Sequence, residues 1–243
     1  MSDVMAKAVK ETGSSQQSHV PFMTDYHSIA SSTTGEAYQI SVALPPSYYD
    51  NKNIEFPVMY LTDGHLNFHT MLGLSRWLFR NGGAGKIDEF IIVSIDYSYD
   101  KGATYQQRNE KWFKQRFSDF TPTPSFYERL KFKIKGQAEE FYQFIEKDVF
   151  KIMEMNYRVD KNNKTLAGYS LGGLFTTYVL AKHPSTFQNY LIGDPALYYE
   201  STSIKETDES KCVGGVIESG ECYFPDGPVF KYLDDLKKSN VAL

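Results

Sequence analysis

The most informative stretch of this chain is LAGYSLGGLF, residues 166–175. It places Ser170 in the pattern G-x-S-x-G, after the short apolar run KTLA and before the apolar run LFTTYVLA. Such a pattern is a sharp turn between a strand and a helix, which holds the serine in a strained conformation with its Oγ exposed. The glycines are needed because side chains would clash across the turn. We therefore predict a strand–turn–helix unit with Ser170 as an activated nucleophile.

Apolar segments alternate along the rest of the chain. Short runs rich in β-branched residues predict strands at 37–45, 56–64, 89–97, 164–170, 188–195 and 212–221. Runs of helical spacing predict helices at 66–83, 137–157, 171–183 and 228–240. Strands that alternate with helices indicate an α/β fold with a mostly parallel central sheet and helices on both faces. Residues 98–135 show no clear period, and we expect a long functional loop or lid there.

Length and composition narrow the class of protein. A chain of 243 residues that is 41% hydrophobic can form one large domain, and we expect this domain at 23–243 after a flexible polar tail at 1–22. The net charge of −4 is scattered, which favours neither a nucleic-acid partner nor a membrane surface. No run is long enough to span a bilayer. Two cysteines and no visible signal peptide favour a cytoplasmic location.

Several stretches in the same order carry a family resemblance: VMYLTDGHLNF, RFSDFTPTP, GQAEEFYQFIEKDV and YRVDKNNKTLAGYSLGG, followed by LFTTYVLAKHPSTFQNYLIGDPALYY. Together they resemble α/β-hydrolases of the esterase D type, a group that includes enterobactin-esterase-like enzymes. The resemblance covers most of residues 38–200. It implies the α/β-hydrolase fold and hydrolysis of esters, from small acyl esters to siderophore lactones, by a serine, an acid and a histidine. It implies neither a metal nor an organic cofactor.

The resemblance also assigns roles to individual residues. Ser170 matches the nucleophile, and the backbone N–H of Leu171 matches one oxyanion donor. The second donor is expected from the turn after YLTDG, at His65 or its neighbour, through the backbone rather than the ring. His65 and His69 have a spacing that could ligate a metal on a helix, but no third ligand pattern lies nearby, so we expect no metal site.

Three further residues are expected beside the substrate pocket: Tyr169, Arg116 and Asp119. For Arg116 and Asp119 the alternative is an ion pair that fixes the loop. Asp63 is expected to hydrogen-bond the turn rather than to act in catalysis.

The catalytic histidine is missing from its expected place. In this fold the triad runs Ser, then acid, then His, and only His183 of the five histidines follows Ser170. His183 lies at the C-terminal end of the helix that follows the nucleophile. There it interacts favourably with the helix dipole and points away from the serine. The resemblance places the catalytic histidine beyond the end of this chain, which would then lack the last strand and helix. It places the triad acid at Glu221 or, failing that, Asp226, each with a solvated loop residue as the alternative.

Three functions follow from this interpretation. The first is a serine hydrolase that cleaves small-molecule carboxylic esters, impaired by the absent base. The second is a non-catalytic binding module that holds a ligand in the former active-site pocket with the aromatic segment 97–132. The third and weakest is an acyltransferase, which the same fold supports.

Overall fold

The computed structural model describes residues 23–50, 52–80, 87–127, 132–197, 202–204, 216–218 and 221–224. The predicted tail at 1–22 and the predicted helix at 228–240 lie outside these residues.

A six-stranded sheet in the order β1-β2-β4-β3-β7-β8 forms the centre of the described structure. Its strands are β1 (Met23–Ala30), β2 (Ala37–Leu44), β3 (Phe56–Leu61), β4 (Ile91–Tyr97), β7 (Val159–Tyr169) and β8 (Asn189–Gly193). The four strands from β4 to β8 in this order pair in parallel, whereas β1 and β2 are antiparallel additions at one edge. The near-continuous apolar runs of β3 and β4 suit strands that are covered on both faces.

Helices cover both faces of this sheet, as the sequence predicted. They are α1 (Gly64–Arg80), α2 (Tyr105–Phe120), α3 (Ala138–Phe144), α4 (Phe150–Asn156) and α5 (Leu171–Lys182). A π-helical turn at Ile145–Val149 joins α3 to α4, so the predicted helix at 137–157 is continuous but locally widened.

The prediction of a loop throughout 98–135 is wrong, because α2 occupies Tyr105–Phe120. The first half of α2 is polar, and its apolar residues are crowded into the second half, so no helical period is visible in the sequence. A capping box begins this helix: the Thr104 hydroxyl accepts from the Gln107 N–H, and the Gln107 side chain accepts from the Thr104 N–H. This S/T-x-x-E/Q signal was present in the sequence and could have located the helix.

Each face of the sheet has its own apolar core. The smaller core lies under α1 and centres on Ala43, Phe68, Phe90 and Ile92. The larger core lies under α2, α3 and α5 and is largely aromatic; its fully buried rings are Tyr38, Tyr60, Phe120, Phe141, Phe144 and Phe175. Much of the high aromatic content therefore fills the core rather than a pocket.

Two smaller sheets complete the described structure. β5 (Ser125–Tyr127) and β6 (Phe132–Ile134) form an antiparallel pair. β9 (Thr202–Ile204), β10 (Val216–Glu218) and β11 (Glu221–Phe224) form an antiparallel sheet in the order β10-β11-β9. Within the described ranges, no helix is long and apolar enough to cross a membrane.

Candidate active site

Ser170 occupies a strained turn between β7 and α5. Its backbone has φ 56° and ψ −116°, in the left-handed region that non-glycine residues seldom adopt. Three backbone hydrogen bonds fix the turn: Ser170 N–H donates to the Gly193 carbonyl at 2.9 Å, and the Ser170 carbonyl accepts from Leu174 and Ala196 at 3.0 Å. Strain of this kind, of about 1–3 kcal/mol, persists only where the surrounding structure enforces it. We call this turn, residues 168–172, the elbow; the role of Ser170 as a nucleophile stays a prediction.

The two glycines of G-x-S-x-G allow β3, β7 and α5 to approach closely. A Cβ on Gly168 would overlap the carbonyl oxygen of Gly172. A Cβ on Gly172 would lie 2.5 Å from the Thr62 Oγ1, at the end of the neighbouring strand β3. Side chains at these positions would therefore push the elbow away from the sheet.

The N-terminus of α5 begins directly after the serine. Leu171 is the first residue of this 12-residue helix, and its side chain is buried. The first amides of a helix have no intrahelical acceptor, and the helix dipole adds partial positive charge there. The predicted donor role of the Leu171 N–H is compatible with this position and stays a prediction.

A second helix N-terminus lies at the end of β3, the strand next to β7. Asp63 has φ 55°, and its carbonyl accepts from the N–H groups of Leu66 and Asn67, so that α1 begins at Gly64. The amides of Gly64 and His65 therefore lie in the first turn of α1. Since β3 and β7 are parallel neighbours, both helix N-termini lie at the same edge of the sheet. Ligands bind at this edge in open α/β sheets.

A buried ion pair holds the turn at Asp63. Arg116, on α2, donates from Nε to Asp63 Oδ1 at 2.6 Å and from Nη2 to Oδ2 at 2.8 Å. The two side chains are only 11% and 2% exposed. Burial raises the pKa of the Asp63 carboxyl, and the Arg116 guanidinium opposes this rise. The guanidinium also lies over the rings of Trp112 and Phe120. This geometry favours the ion-pair alternative for Arg116, with Asp63 as its partner.

Asp119 lies one turn further along α2 and has no exposed surface. Its Oδ2 accepts from the Tyr38 hydroxyl at 2.9 Å, and its Oδ1 accepts from Gln137 Nε2 at 2.5 Å. Burial raises the pKa of this carboxyl to about 7, although both hydrogen bonds act in the opposite direction. These hydrogen bonds join α2 to β2 and to the residue before α3, and the predicted place of Asp119 beside the substrate pocket stays a prediction.

The ring of His65 has its own partners. Its Nδ1 lies 3.4 Å from Asp96 Oδ1, and the ring meets Trp112 edge-on at 4.8 Å between centroids. Sequence reasoning missed Asp96, although its position at the end of a buried strand was a usable signal. Among the residues that the structure describes, no group of three potential ligands could hold a metal ion.

Tyr169, the residue before the nucleophile, is 58% exposed. It lines an apolar cavity of about 370 Å³ between α1 and the ends of β7 and β8, together with Leu61, Met71, Leu74 and Leu191. This cavity adjoins the elbow from the α1 side. Tyr169 therefore lines a concave surface, and its role in a substrate pocket stays a prediction.

His183 lies at the other end of α5. It caps the C-terminus of the helix, and 12 residues of helix correspond to a length of about 18 Å. Its Nε2 lies 2.9 Å from Glu139 Oε2, and its ring stacks on Tyr142 at 3.9 Å. Burial would raise the pKa of Glu139, but its donors, including His183, Tyr178 and Lys182, lower it to about 2. His183 therefore belongs to a structural cluster and does not reach Ser170.

The two candidates for the triad acid remain predictions. Glu221 begins β11, where the structure describes the backbone. Asp226 lies outside the described residues.

The known proteins to which this chain is similar include several esterases. A family model described as "Putative esterase" matches residues 31–202. The chain is similar to the ferri-bacillibactin esterase BesA of Bacillus subtilis, with 31% identity over 76% of this chain and 63% of the relative. It is also similar to a siderophore triacetylfusarinine C esterase of Aspergillus fumigatus, with 29% identity over 70% of this chain and 55% of the relative.

Among solved structures, the fold is similar to that of an IroE-like serine hydrolase from Shewanella oneidensis. The TM-score is 0.60 and the identity 27%, over 74% of this chain and 52% of that one. The chain therefore spans between about half and two thirds of the length of the relatives it matches.

Proposed function

Because the chain belongs to the esterase family whose model it matches, we propose that it is a serine hydrolase that cleaves carboxylic ester bonds. The observation that carries the proposal is the positive φ of Ser170 at the start of α5. An ordinary strand–helix connection has no need of a strained serine, whereas a nucleophile must present its Oγ clear of the sheet. The names of the relatives, two esterases and a serine hydrolase, support the same reaction.

The proposed reaction begins with attack of Ser170 Oγ on the ester carbonyl carbon. The C=O π electrons move to the oxygen, and the N–H of Leu171 and the first amides of α1, at Gly64 or His65, stabilise this oxyanion. Collapse breaks the bond to the alkoxy group, which leaves as an alcohol with the proton from Ser170. Water then hydrolyses the acyl-enzyme. One such oxyanion donor contributes a factor of about 10²–10³ in kcat.

The finer proposal concerns the base. Only His183 follows Ser170 in the sequence, and it is held by Glu139 at the far end of α5. This placement supports reduced turnover by the present chain, with a residual acceleration of about 10³–10⁴ from the oxyanion hole and binding alone. The triad acid would be Glu221 or Asp226.

The proposed substrates are small-molecule esters of the siderophore class. The support comes from the relatives, which are named for ferri-bacillibactin and for triacetylfusarinine C. Substrate contact by Tyr169 and a cytoplasmic location also remain proposals.

Hydrolysis of 4-nitrophenyl butyrate by the chain and by Ser170→Ala tests the proposal. We expect slow turnover that the substitution abolishes and that added imidazole, as a replacement base, accelerates only when Ser170 is present. Equal turnover by Ser170→Ala would show that another group does the chemistry. Ligand binding without any turnover, unchanged in Ser170→Ala, would instead support the non-catalytic binding module. Addition of an alcohol acceptor to the assay separates acyl transfer from hydrolysis.

A further inference from the structure

A groove on the outer side of α2 has the chemistry of an anion site. It lies between α2 and β6, has a volume of about 430 Å³, and is separate from the apolar cavity beside Tyr169. Its walls carry four lysines: Lys111 and Lys114 on α2, and Lys133 and Lys135 on or just after β6. A volume of this order suits a small molecule.

Two of these lysines have their charge neutralised within the groove. Lys114 Nζ lies 2.6 Å from Glu110 Oε1, and Lys135 Nζ lies 3.6 Å from Glu36 Oε1. Both carboxylates line the same groove. The remaining charge on its walls is therefore that of the other two lysines.

Lys111 and Lys133 have no carboxylate within ion-pair distance among the residues that the structure describes. One lies on the α2 wall and the other on the β6 wall. The groove thus concentrates two positive charges on a chain whose net charge is −4. A local potential opposite to the overall charge attracts a small anion to this groove in preference to the rest of the surface.

Gln115 also lines the groove, but its amide is not available to a ligand. The residue is only 6% exposed, and neither its Oε1 nor its Nε2 has accessible surface. The amide lies beside the Tyr38 hydroxyl in the interior. The lysines therefore supply the chemistry of the groove.

We propose that the groove with Lys111 and Lys133 on its two walls binds a small multivalent anion that carries phosphate or carboxylate groups. Charges on opposite walls favour a ligand with at least two anionic groups. The site is independent of ester hydrolysis at Ser170 and does not depend on the proposed function.

Titration calorimetry at low ionic strength with pyrophosphate and with citrate tests the proposal. At least one of them should bind with one-to-one stoichiometry, while acetate should not. The double variant Lys111→Gln/Lys133→Gln should bind about tenfold more weakly. The control Lys101→Gln/Lys151→Gln, which removes two exposed lysines outside the groove, should bind like the parent chain. Binding of pyrophosphate alone identifies phosphate as the recognised group, and binding of citrate alone identifies carboxylate.

Urea denaturation of the groove variant separates ligand binding from folding. Neither Lys111 nor Lys133 is buried, so Lys111→Gln/Lys133→Gln should keep the free energy of unfolding of the parent chain while it binds the anion more weakly. Ser170→Ala should leave anion binding unchanged, which keeps this test distinct from that of the esterase. The proposal is overturned if neither anion binds or if the control pair weakens binding as much as the groove pair.

Discussion

Replacement of Arg116 by Met would show how far the turn at Asp63 depends on one buried ion pair. The substitution leaves the Asp63 carboxylate, which is 2% exposed, without either of its hydrogen bonds at 2.6 and 2.8 Å. Removal of one partner of a buried pair costs about 3–5 kcal/mol, and the Met side chain can still pack against Trp112 and Phe120. We expect a loss of this size in the free energy of unfolding at pH 7, measured by urea denaturation.

The pH dependence of this loss has a definite sign. Without Arg116, burial raises the folded-state pKa of Asp63 further above that of the unfolded chain. The variant therefore loses stability as the pH rises through the raised pKa and recovers as the carboxyl is protonated. The penalty should be smaller at pH 5 than at pH 7, and Arg116→Met/Asp63→Asn should restore much of the stability at pH 7.

An exposed ion pair on the same helix provides the control. Lys114 and Glu110 also lie 2.6 Å apart, but their side chains are 51% and 61% exposed. Lys114→Met should therefore cost less than about 1 kcal/mol. An equal loss for the two Met variants, or a penalty for Arg116→Met that does not vary with pH, would show that the buried pair with Asp63 does not stabilise the fold.

Three other predictions follow from single contacts. Gly172→Ala should lower the free energy of unfolding by about 2–3 kcal/mol, measured by thermal or urea denaturation, because the new Cβ would meet Thr62. Gly73→Ala, where the new Cβ would lie in open space on α1, should raise it by about 0.5–1 kcal/mol. The reverse order would contradict the close approach at the elbow. Asp119 has a folded-state pKa of about 7 against an ordinary value of 3.8. Its contribution to the free energy of unfolding is therefore complete below about pH 4 and is lost as the pH rises through 7. Asp119→Asn should flatten the dependence of stability on pH between pH 5 and 8, and an unchanged slope would contradict this. Glu139 has a folded-state pKa of about 2, so the stability that it contributes above pH 4.5 is lost as the pH falls toward 2. The difference in free energy of unfolding between the parent chain and Glu139→Gln should therefore shrink from pH 4.5 to pH 2, and a growing difference would contradict this.

The parts of the structure that could be predicted from sequence are those with a local signal. β3 and β4 are continuous apolar runs, and the elbow at Ser170 has its glycines at fixed offsets. The helix α2 was missed because its polar first half hides the helical period. β1 was also missed, since it is an edge strand with only weak alternation of apolar and polar residues.

Contacts that join distant parts of the chain left no such signal. Arg116 and Asp63 are 53 positions apart, and only the folded sheet and α2 bring them together. From sequence alone, Arg116 had two interpretations, an ion pair or substrate contact, and the partner of the ion pair could not be identified. The same holds for His65 and Asp96, which meet because α1 begins beside the end of β4.

Covalent trapping of Ser170 would test directly whether this serine is a nucleophile. The chain is incubated with a fluorophosphonate, and the labelled peptide is identified by mass spectrometry, with and without added imidazole. A reactive nucleophile at the elbow should give a single adduct on Ser170, formed faster with imidazole and absent from Ser170→Ala. An adduct on another residue, or no adduct on Ser170 under either condition, would contradict the claim that the strained turn at 168–172 presents a reactive serine.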